Sequence, residues 1–256
     1  MFRGGLYKRG IAVAVVGLSR RQRVAKRILD IFLSVVGLTL ISWFILIGWI
    51  VAAIDTRQNG MFTQDRIGKD GKPFRIWKLR TMREDPYLNT SVTTQSDPRI
   101  TRSGAILRLT KWNELPQLFN VLMGHMSFVG PRPEVPGFAD ELEGDDRIIL
   151  TVAPGITGPA TLRFRNEEIV LDSVDDPDAY NVDVLYPEKV ELNREYVENY
   201  SLVKDLKYVF MTVFALVPFQ WVQDWIDRGV EPMRIREPEV LVPLEAEPAT
   251  QFAETA

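Results

Sequence analysis

Between Ile31 and Ile54 the chain runs for 24 residues without a charge, IFLSVVGLTLISWFILIGWIVAAI. A bilayer core is crossed by about 20 helical residues, so the run predicts a membrane helix rather than the buried helix of a soluble core. After it the pattern shortens. Phe74, Ile76 and Lys78 alternate with Arg75, Trp77 and Leu79 behind the turn Lys69-Asp70-Gly71-Lys72-Pro73, which predicts a short strand. Ile106, Leu107 and Leu109 follow Gly104 as a short helix carrying Arg108 and Lys111. Leu115, Leu118, Phe119 and Leu122 repeat at helical spacing, predicting a helix from near Asn113 with Pro116 in its first turn, where a missing N–H costs nothing.

Later segments are read the same way. Asp85 to Ser96 is polar and predicts a mobile loop. Val152 to Arg165, VAPGITGPATLRFR, holds two Pro/Gly turns and an apolar/basic alternation that predicts a short strand. Asp172 to Asp183 reads as a surface loop or disordered insert, and Pro187 to Lys207 as a helix. Tyr208 to Val222 is apolar, interrupted by Pro218 and short for a span, which leaves an interfacial segment and a core helix both open. From Arg228 the Pro, Glu and Ala content predicts a disordered tail. The expected divisions are a basic membrane-facing arm (1–25), a membrane helix (26–55), a mixed domain (56–227) and the tail (228–256).

Composition narrows the chemistry. With no cysteine and a single histidine, His125, thiolate catalysis, disulfides and histidine-rich zinc sites are excluded, so carboxylates, amides, hydroxyls and lysines must do the work. The net charge of -3 conceals a division: residues 1–111 hold 20 Lys and Arg against 7 Asp and Glu, and residues 112–256 hold 11 against 27. A basic front suits an anionic partner such as a membrane surface or a nucleotide diphosphate, while the acidic half reads as a solvated surface. Nucleic acid is disfavoured by the uncharged run and the net acidity. Both flanks of that run are basic, Arg20 to Arg27 before it and Arg57, Arg66, Lys69 and Lys72 after it. The positive-inside rule would then put both ends on the cytoplasmic side through a re-entrant bend, while a straight span remains the alternative.

The densest chemistry lies from Lys111 to Glu134, KWNELPQLFNVLMGHMSFVGPRPE, with Glu114 at one end and the rigid turn Gly130-Pro131-Arg132-Pro133 at the other. This segment resembles the signature of the bacterial sugar transferases, the monotopic phosphoglycosyl transferases that load a sugar phosphate onto a polyprenyl phosphate. The resemblance runs roughly from Lys26 to Val213 and includes Gln64, Arg66, Gly68, Phe74, Lys78, Arg80, Thr81, Met82, Arg108 and the PGITG element after Ala153. It implies an α+β, helix-dominated monotopic membrane enzyme with an N-terminal re-entrant or spanning helix and a few short strands. It also implies transfer of a sugar 1-phosphate from a UDP-sugar to undecaprenyl phosphate, releasing UMP, at the start of exopolysaccharide, capsule or O-antigen synthesis. The enzyme would sit among membrane lipids of the bacterial inner membrane with its catalytic domain facing the cytoplasm, and a homodimer stays open.

The same resemblance assigns roles. Glu114 would be catalytic and a Mg²⁺ ligand with Asn113 beside it, and Lys78, Arg80, Arg108, Arg132 and Arg165 would hold the substrate. Four departures stand out. Asn113-Glu114 replaces the family's Asp-Glu pair, Asn193 and Thr161 stand where aspartate and glutamine are common, and Ser42 is followed by Trp43 rather than by the proline of the re-entrant bend. Three accounts of Asn113 remain: Glu114 attacks phosphorus itself, Glu114 holds Mg²⁺ while the lipid phosphate attacks directly, or the chain is a non-catalytic scaffold paralogue that only binds. His125, where the family is usually acidic, reads as a structural histidine or a proton relay.

Overall fold

In a computed structural model, residues 17–86, 92–215, 225–226 and 229 are described. The first helix, α1 (Arg20–Thr56), spans 37 residues. It opens earlier than the apolar run because Ser19 and Gln22 form a reciprocal capping box, and it closes at Arg57 in the left-handed conformation (φ 57°). It therefore absorbs the end of the expected basic arm; the arm's first sixteen residues lie outside the described residues.

A single stripe of α1 is buried, formed by Lys26, Asp30 and Ser34 and then by Ile45, Gly48, Ala52 and Thr56. The spacing of three and four keeps these residues on one helical face. Most of its remaining apolar side chains are exposed, Leu40 at 65% and Ile54 at 73% among them. Among the described residues α1 alone is long and apolar enough to cross a membrane.

Strands β1 (Met61–Ile67) and β2 (Pro73–Leu79) form an antiparallel hairpin in which Phe62 faces Lys78 and Arg66 faces Phe74. This is the strand expected from the alternation around Phe74. Helix α2 (Arg102–Leu109) starts at a Thr101 cap that accepts from Gly104 N. It ends before Lys111, which is left-handed (φ 54°) and begins a separate 3₁₀ turn, Trp112–Glu114. The helix expected from Asn113 thus starts later, as α3 (Gln117–Met123) behind Pro116. Helix α3 closes the hairpin from the side: Asn120 Oδ1 accepts from Trp77 N at 3.0 Å while its Nδ2 donates to Arg75 O at 2.7 Å.

Strand β3 (Ser127–Val129) pairs in parallel with β4 (Gly155–Thr157). Gly130 and Gly155 let the two backbones touch; a Cβ on Gly155 would lie 2.1 Å from Gly130 N. The strand expected to continue to Arg165 stops at Thr157, because Gly158-Pro159 starts helix α4 (Pro159–Arg163) with the proline at its first turn. Helix α5 (Glu167–Leu171) follows. The segment expected to be a loop at 172–183 is ordered instead. Asp176 caps α6 (Pro177–Tyr180) by accepting from Ala179 N at 2.9 Å, and a π-helical turn, Asn181–Leu185, leads into α7 (Tyr186–Glu198).

The helix expected over 187–207 is broken, and α8 runs from Leu202 to Ala215. In one unbroken helix Tyr196 and Asp205 would stand about 13 Å apart along the axis. The break brings them together: Tyr196 OH donates to Asp205 Oδ1 at 2.7 Å, and Lys26 Nζ from α1 reaches Asp205 Oδ2 at 2.6 Å. Tyr208 to Ala215 of the expected apolar segment belong to α8, while its remainder, 216–222, and the tail lie outside the described residues apart from a few positions.

The core divides accordingly. One cluster joins Leu18, Ile67, Val129, Ile148 to Leu150, Val190 and Val197; a second joins Phe164, Leu171, Tyr180 and Leu185; a third packs Leu79 and Leu107 against Ile45 and Ala52 of α1. The polar start of α1 is also bound in. Asp30 accepts from Ser127 Oγ at 3.0 Å and Phe128 N at 2.9 Å, and Arg27 donates to the carbonyls of Val121 and Leu122 at 2.6 and 2.7 Å. Lys26 and Asp205 are 6% and 1% exposed, so removing one partner strands the other's charge. Asp205→Leu is expected to cost about 3–5 kcal/mol in urea unfolding of the detergent-solubilised protein, and Lys26→Met with Asp205→Leu to recover much of that loss.

Candidate active site

The 3₁₀ turn Trp112–Glu114 is fixed to α1 by Trp112 Nε1, which donates to Phe44 O at 3.0 Å. It presents Glu114 between two cations drawn from different elements. Arg132 Nη2, from the turn after β3, lies 3.1 Å from Glu114 Oε1, and Lys78 Nζ, from β2, lies 3.6 Å away. The Glu114 side chain is 12% exposed. Burial alone would raise its carboxyl, but Arg132, Lys78 and Lys111 outweigh that and hold it well below the usual carboxylate range. Burial pushes the Lys78 ammonium down to about 8 despite the Glu114 charge, with Arg132, Arg66 and Arg108 adding to the depression.

Arg66, across the hairpin, donates to Pro133 O at 3.1 Å and Gln64 Oε1 at 2.8 Å, so it braces the turn that carries Arg132. Asn113 is buried at 7% exposure and its Oδ1 has no hydrogen-bond partner. An orphan acceptor in that position is costly unless something meets it.

Arg66, Lys78, Asn113 and Arg132 line one cavity of about 850 Å³. Its lining includes Arg66, Lys78, Arg80, Arg108, Arg132 and Asn113, so five of the residues singled out from sequence (Lys78, Arg80, Arg108, Arg132 and Asn113) are brought together, with Glu114 held against two of them. Arg80 also donates to Asn59 O at 2.9 Å and pairs with Glu84 at 3.1 Å; Arg108 pairs with Glu168 at 2.5 Å. Arg165 does not line the cavity and donates to Leu162 O at 3.2 Å. His125 is exposed, 6.1 Å ring to ring from Phe74, which favours the structural reading over the relay. Asn193 is buried in α7 and lines a separate void of about 20 Å³ beside Tyr186, again with its Oδ1 unpartnered.

Sequence reasoning missed the acidic side of the site. Glu134, Glu167 and Glu168 line the cavity with Lys189, and Lys189 Nζ lies 2.5 Å from Glu167 Oε2. These acids belong to the half of the chain whose composition reads as a solvated surface. The available signal was the charge division itself, since a buried basic surface needs counter-charges from somewhere.

Among the described residues no group of three or more His, Cys, Asp or Glu forms a metal cage. Besides Glu134, Glu167 and Glu168 on the cavity wall, the signature itself offers the Glu114 carboxylate and the orphan Asn113 Oδ1. That set fits Mg²⁺, which commonly takes one or two protein oxygens and completes its shell with water and phosphate.

The bacterial sugar transferase family matches residues 21–218 of the chain. A putative undecaprenyl-phosphate N-acetylgalactosaminyl 1-phosphate transferase of Bacillus subtilis is 43% identical over 126 residues, 49% of this chain and 70% of that protein. The UDP-glucose:undecaprenyl-phosphate glucose-1-phosphate transferase of Escherichia coli is 37% identical over 204 residues, 77% of this chain but 41% of that protein. The exopolysaccharide production protein PSS of Rhizobium leguminosarum is 36% identical over 200 residues, 75% of this chain and 94% of that protein. The match thus covers less than half the length of the Escherichia coli relative and nearly all of the Rhizobium one.

Because the Lys78 ammonium titrates near 8, affinity for an inorganic pyrophosphate probe is expected to fall as pH rises through about 8. The charged form that attracts the anion exists below that value and is lost above it. In calorimetry from about pH 6.5 to about pH 9.5, Lys78→Arg, which stays charged throughout, should flatten this dependence.

Proposed function

The chain belongs to the bacterial sugar transferase family, and we propose that it transfers a sugar 1-phosphate from a UDP-sugar to undecaprenyl phosphate, giving undecaprenyl-diphosphate-sugar and UMP. The observation that carries this reading is the ionised Glu114 set between Lys78 and Arg132 at a cavity rich in arginine and large enough for a nucleotide sugar. Lys78, Arg66 and Arg132 would hold the diphosphate oxygens, with arginine offering a planar fork and lysine a point charge.

Glu114 then attacks the sugar-bearing phosphorus. The bond from that phosphorus to the bridging oxygen breaks and UMP leaves with the electron pair. In the second step an oxygen of undecaprenyl phosphate attacks the same phosphorus and the Glu114 carboxylate is released. The low basicity of Glu114 suits it to leave in this step. Mg²⁺, held by Glu114 and Asn113 Oδ1, would neutralise the diphosphate charge. Asn113 on this reading positions and ligates, and does not attack, since a neutral amide is a poor nucleophile.

The contacts of α1 support a monotopic arrangement. Asp30 near its start, Phe44 in its middle and Asp55 near its end all bond to the same domain, through Phe128 N, Trp112 Nε1 and Ser103 N respectively. A helix crossing the bilayer perpendicularly would have to draw that polar domain through lipid. We therefore put the domain on the cytoplasmic face of the inner membrane, where undecaprenyl phosphate and UDP-sugars can both reach it.

With a panel of UDP-sugars, undecaprenyl phosphate and Mg²⁺, the purified protein should release UMP, and Glu114→Gln should lower the rate by at least about 10²-fold. Omitting the lipid acceptor separates the mechanisms. A burst of one UMP per enzyme with a matching mass increase supports attack by Glu114; turnover that strictly requires acceptor, with no burst, supports direct displacement; UDP-sugar binding without any turnover supports the scaffold. For topology, cysteines introduced by Arg21→Cys and Lys69→Cys into this cysteine-free chain should both be labelled from the cytoplasmic side of inverted vesicles. Labelling of position 21 only from the opposite side would establish a span.

A further inference from the structure

Helices α6 and α7 are joined by the π-helical turn Asn181–Leu185, a rare form that tends to occur at functional positions. Tyr180 and Leu185 are buried in the cluster around Phe164, while Asn181 between them lines the large cavity. What Asn181 offers that cavity follows from its backbone. Its N–H donates to the carbonyls of Pro177 and Asp178, and its C=O accepts from Tyr186 N. The side-chain amide remains, and among the described residues it makes no hydrogen bond. Tyr180 packs in one cluster with Leu171 and Val92, and those two also line the cavity, so the amide is set in an apolar wall. Glu168 stands three residues before Leu171 on α5, roughly 4.5 Å along the axis, and pairs with Arg108 at 2.5 Å. The apolar wall therefore begins within one helical turn of an arginine of the same cavity.

We propose that Asn181, Leu171 and Val92 form the nucleobase subsite of this cavity, with the Asn181 amide pairing with the edge of a uracil ring. This rests on the reading of the cavity as a UDP-sugar site. A pyrimidine is flat and apolar on both faces, and its hydrogen-bonding groups are confined to its edge. Uracil presents there one N–H, at N3, between two carbonyls. An asparagine amide matches that edge, since its oxygen accepts from N3–H while its nitrogen donates to a neighbouring carbonyl. An apolar wall with one placed polar group is also the usual build of a site for such a ring. A hexose carries hydroxyls around its whole ring, and against Leu171 and Val92 several would lose water without gaining a partner. Elsewhere in the cavity Glu134 offers acceptors for such hydroxyls.

The test measures, by calorimetry on the full chain in detergent, the affinities of UDP, of UDP methylated at uracil N3, and of ribose 5-diphosphate, which keeps the charge and lacks the base. In the unaltered chain N3-methylation is expected to weaken binding about ten-fold, the scale of a hydrogen bond lost with its partner left unpaired. Asn181→Leu should weaken UDP about ten-fold, leave ribose 5-diphosphate within about two-fold, and abolish the discrimination against the methylated ligand. Unchanged UDP affinity in this variant overturns the proposal, as does equal weakening of UDP and ribose 5-diphosphate. So does a changed ranking of UDP-sugars with UDP affinity untouched, which would put the sugar at this wall. If Asn181→Leu fails to fold, Asn181→Ala, which removes the amide without adding bulk, is read in the same way. Failure of the underlying reading looks different. If UDP does not bind the unaltered chain, the nucleotide-sugar reading falls and the proposal with it. If UDP binds more tightly than ribose 5-diphosphate and no Asn181 variant alters that preference, the proposed location alone falls.

Discussion

A carboxylate held ionised in a nearly closed site is tolerable only if cations meet it, and Glu114 has Arg132 and Lys78 within 3.1 and 3.6 Å. Much of the domain can be understood as the means of delivering those two side chains. Lys78 requires the β1–β2 hairpin, and the hairpin requires Asn120 on α3 to satisfy its outer backbone groups. Arg132 requires the turn after β3, held by Gly130 and Gly155 at backbone contact and braced by Arg66. The third cation, Lys111, adopts a left-handed conformation that ends α2 and starts the turn carrying Glu114.

The pairing of buried charge also governs how α1 is attached. Lys26, Arg27 and Asp30 are polar residues at the edge of an apolar run, and each has a partner in the domain rather than in solvent. Hydrophobic attraction alone would let α1 slide along the domain, because it is non-directional. Directional bonds to Asp205, to the end of α3 and to the start of β3 fix its register instead.

The uncharged run, the second hairpin strand and the signature around Glu114 were legible because each is a local pattern, a long run, an alternation or a turn with fixed chemistry. What was not legible depends on distant partners. The break at 199–201 has no strong local marker; it is stabilised by the contact of Asp205 with Lys26 far upstream. The ordered segment 176–185 looks polar, and only the burial of Tyr180 and Leu185 against Phe164 and Leu171 makes it structure. Lys78, Arg80, Arg108 and Arg132 were found because they lie in recognisable motifs, whereas Arg165, singled out with them, lies off the cavity and Lys189 on it was missed. The acidic side was missed because Glu167 and Glu168 sit in a short helix whose sequence is ordinary and whose meaning comes from Lys189 and Arg108.

Asn120 replaces what would otherwise be a third strand. A two-stranded ribbon leaves an open row of donors and acceptors along each edge, the kind of template onto which another chain can add. Here a single side-chain amide, fully buried, occupies the donor of Trp77 and the acceptor of Arg75. That edge of the ribbon is thereby blunted against self-association. Among the described residues no further strand joins the ribbon, and its Gln64, Arg66 and Lys78 wall an open chamber.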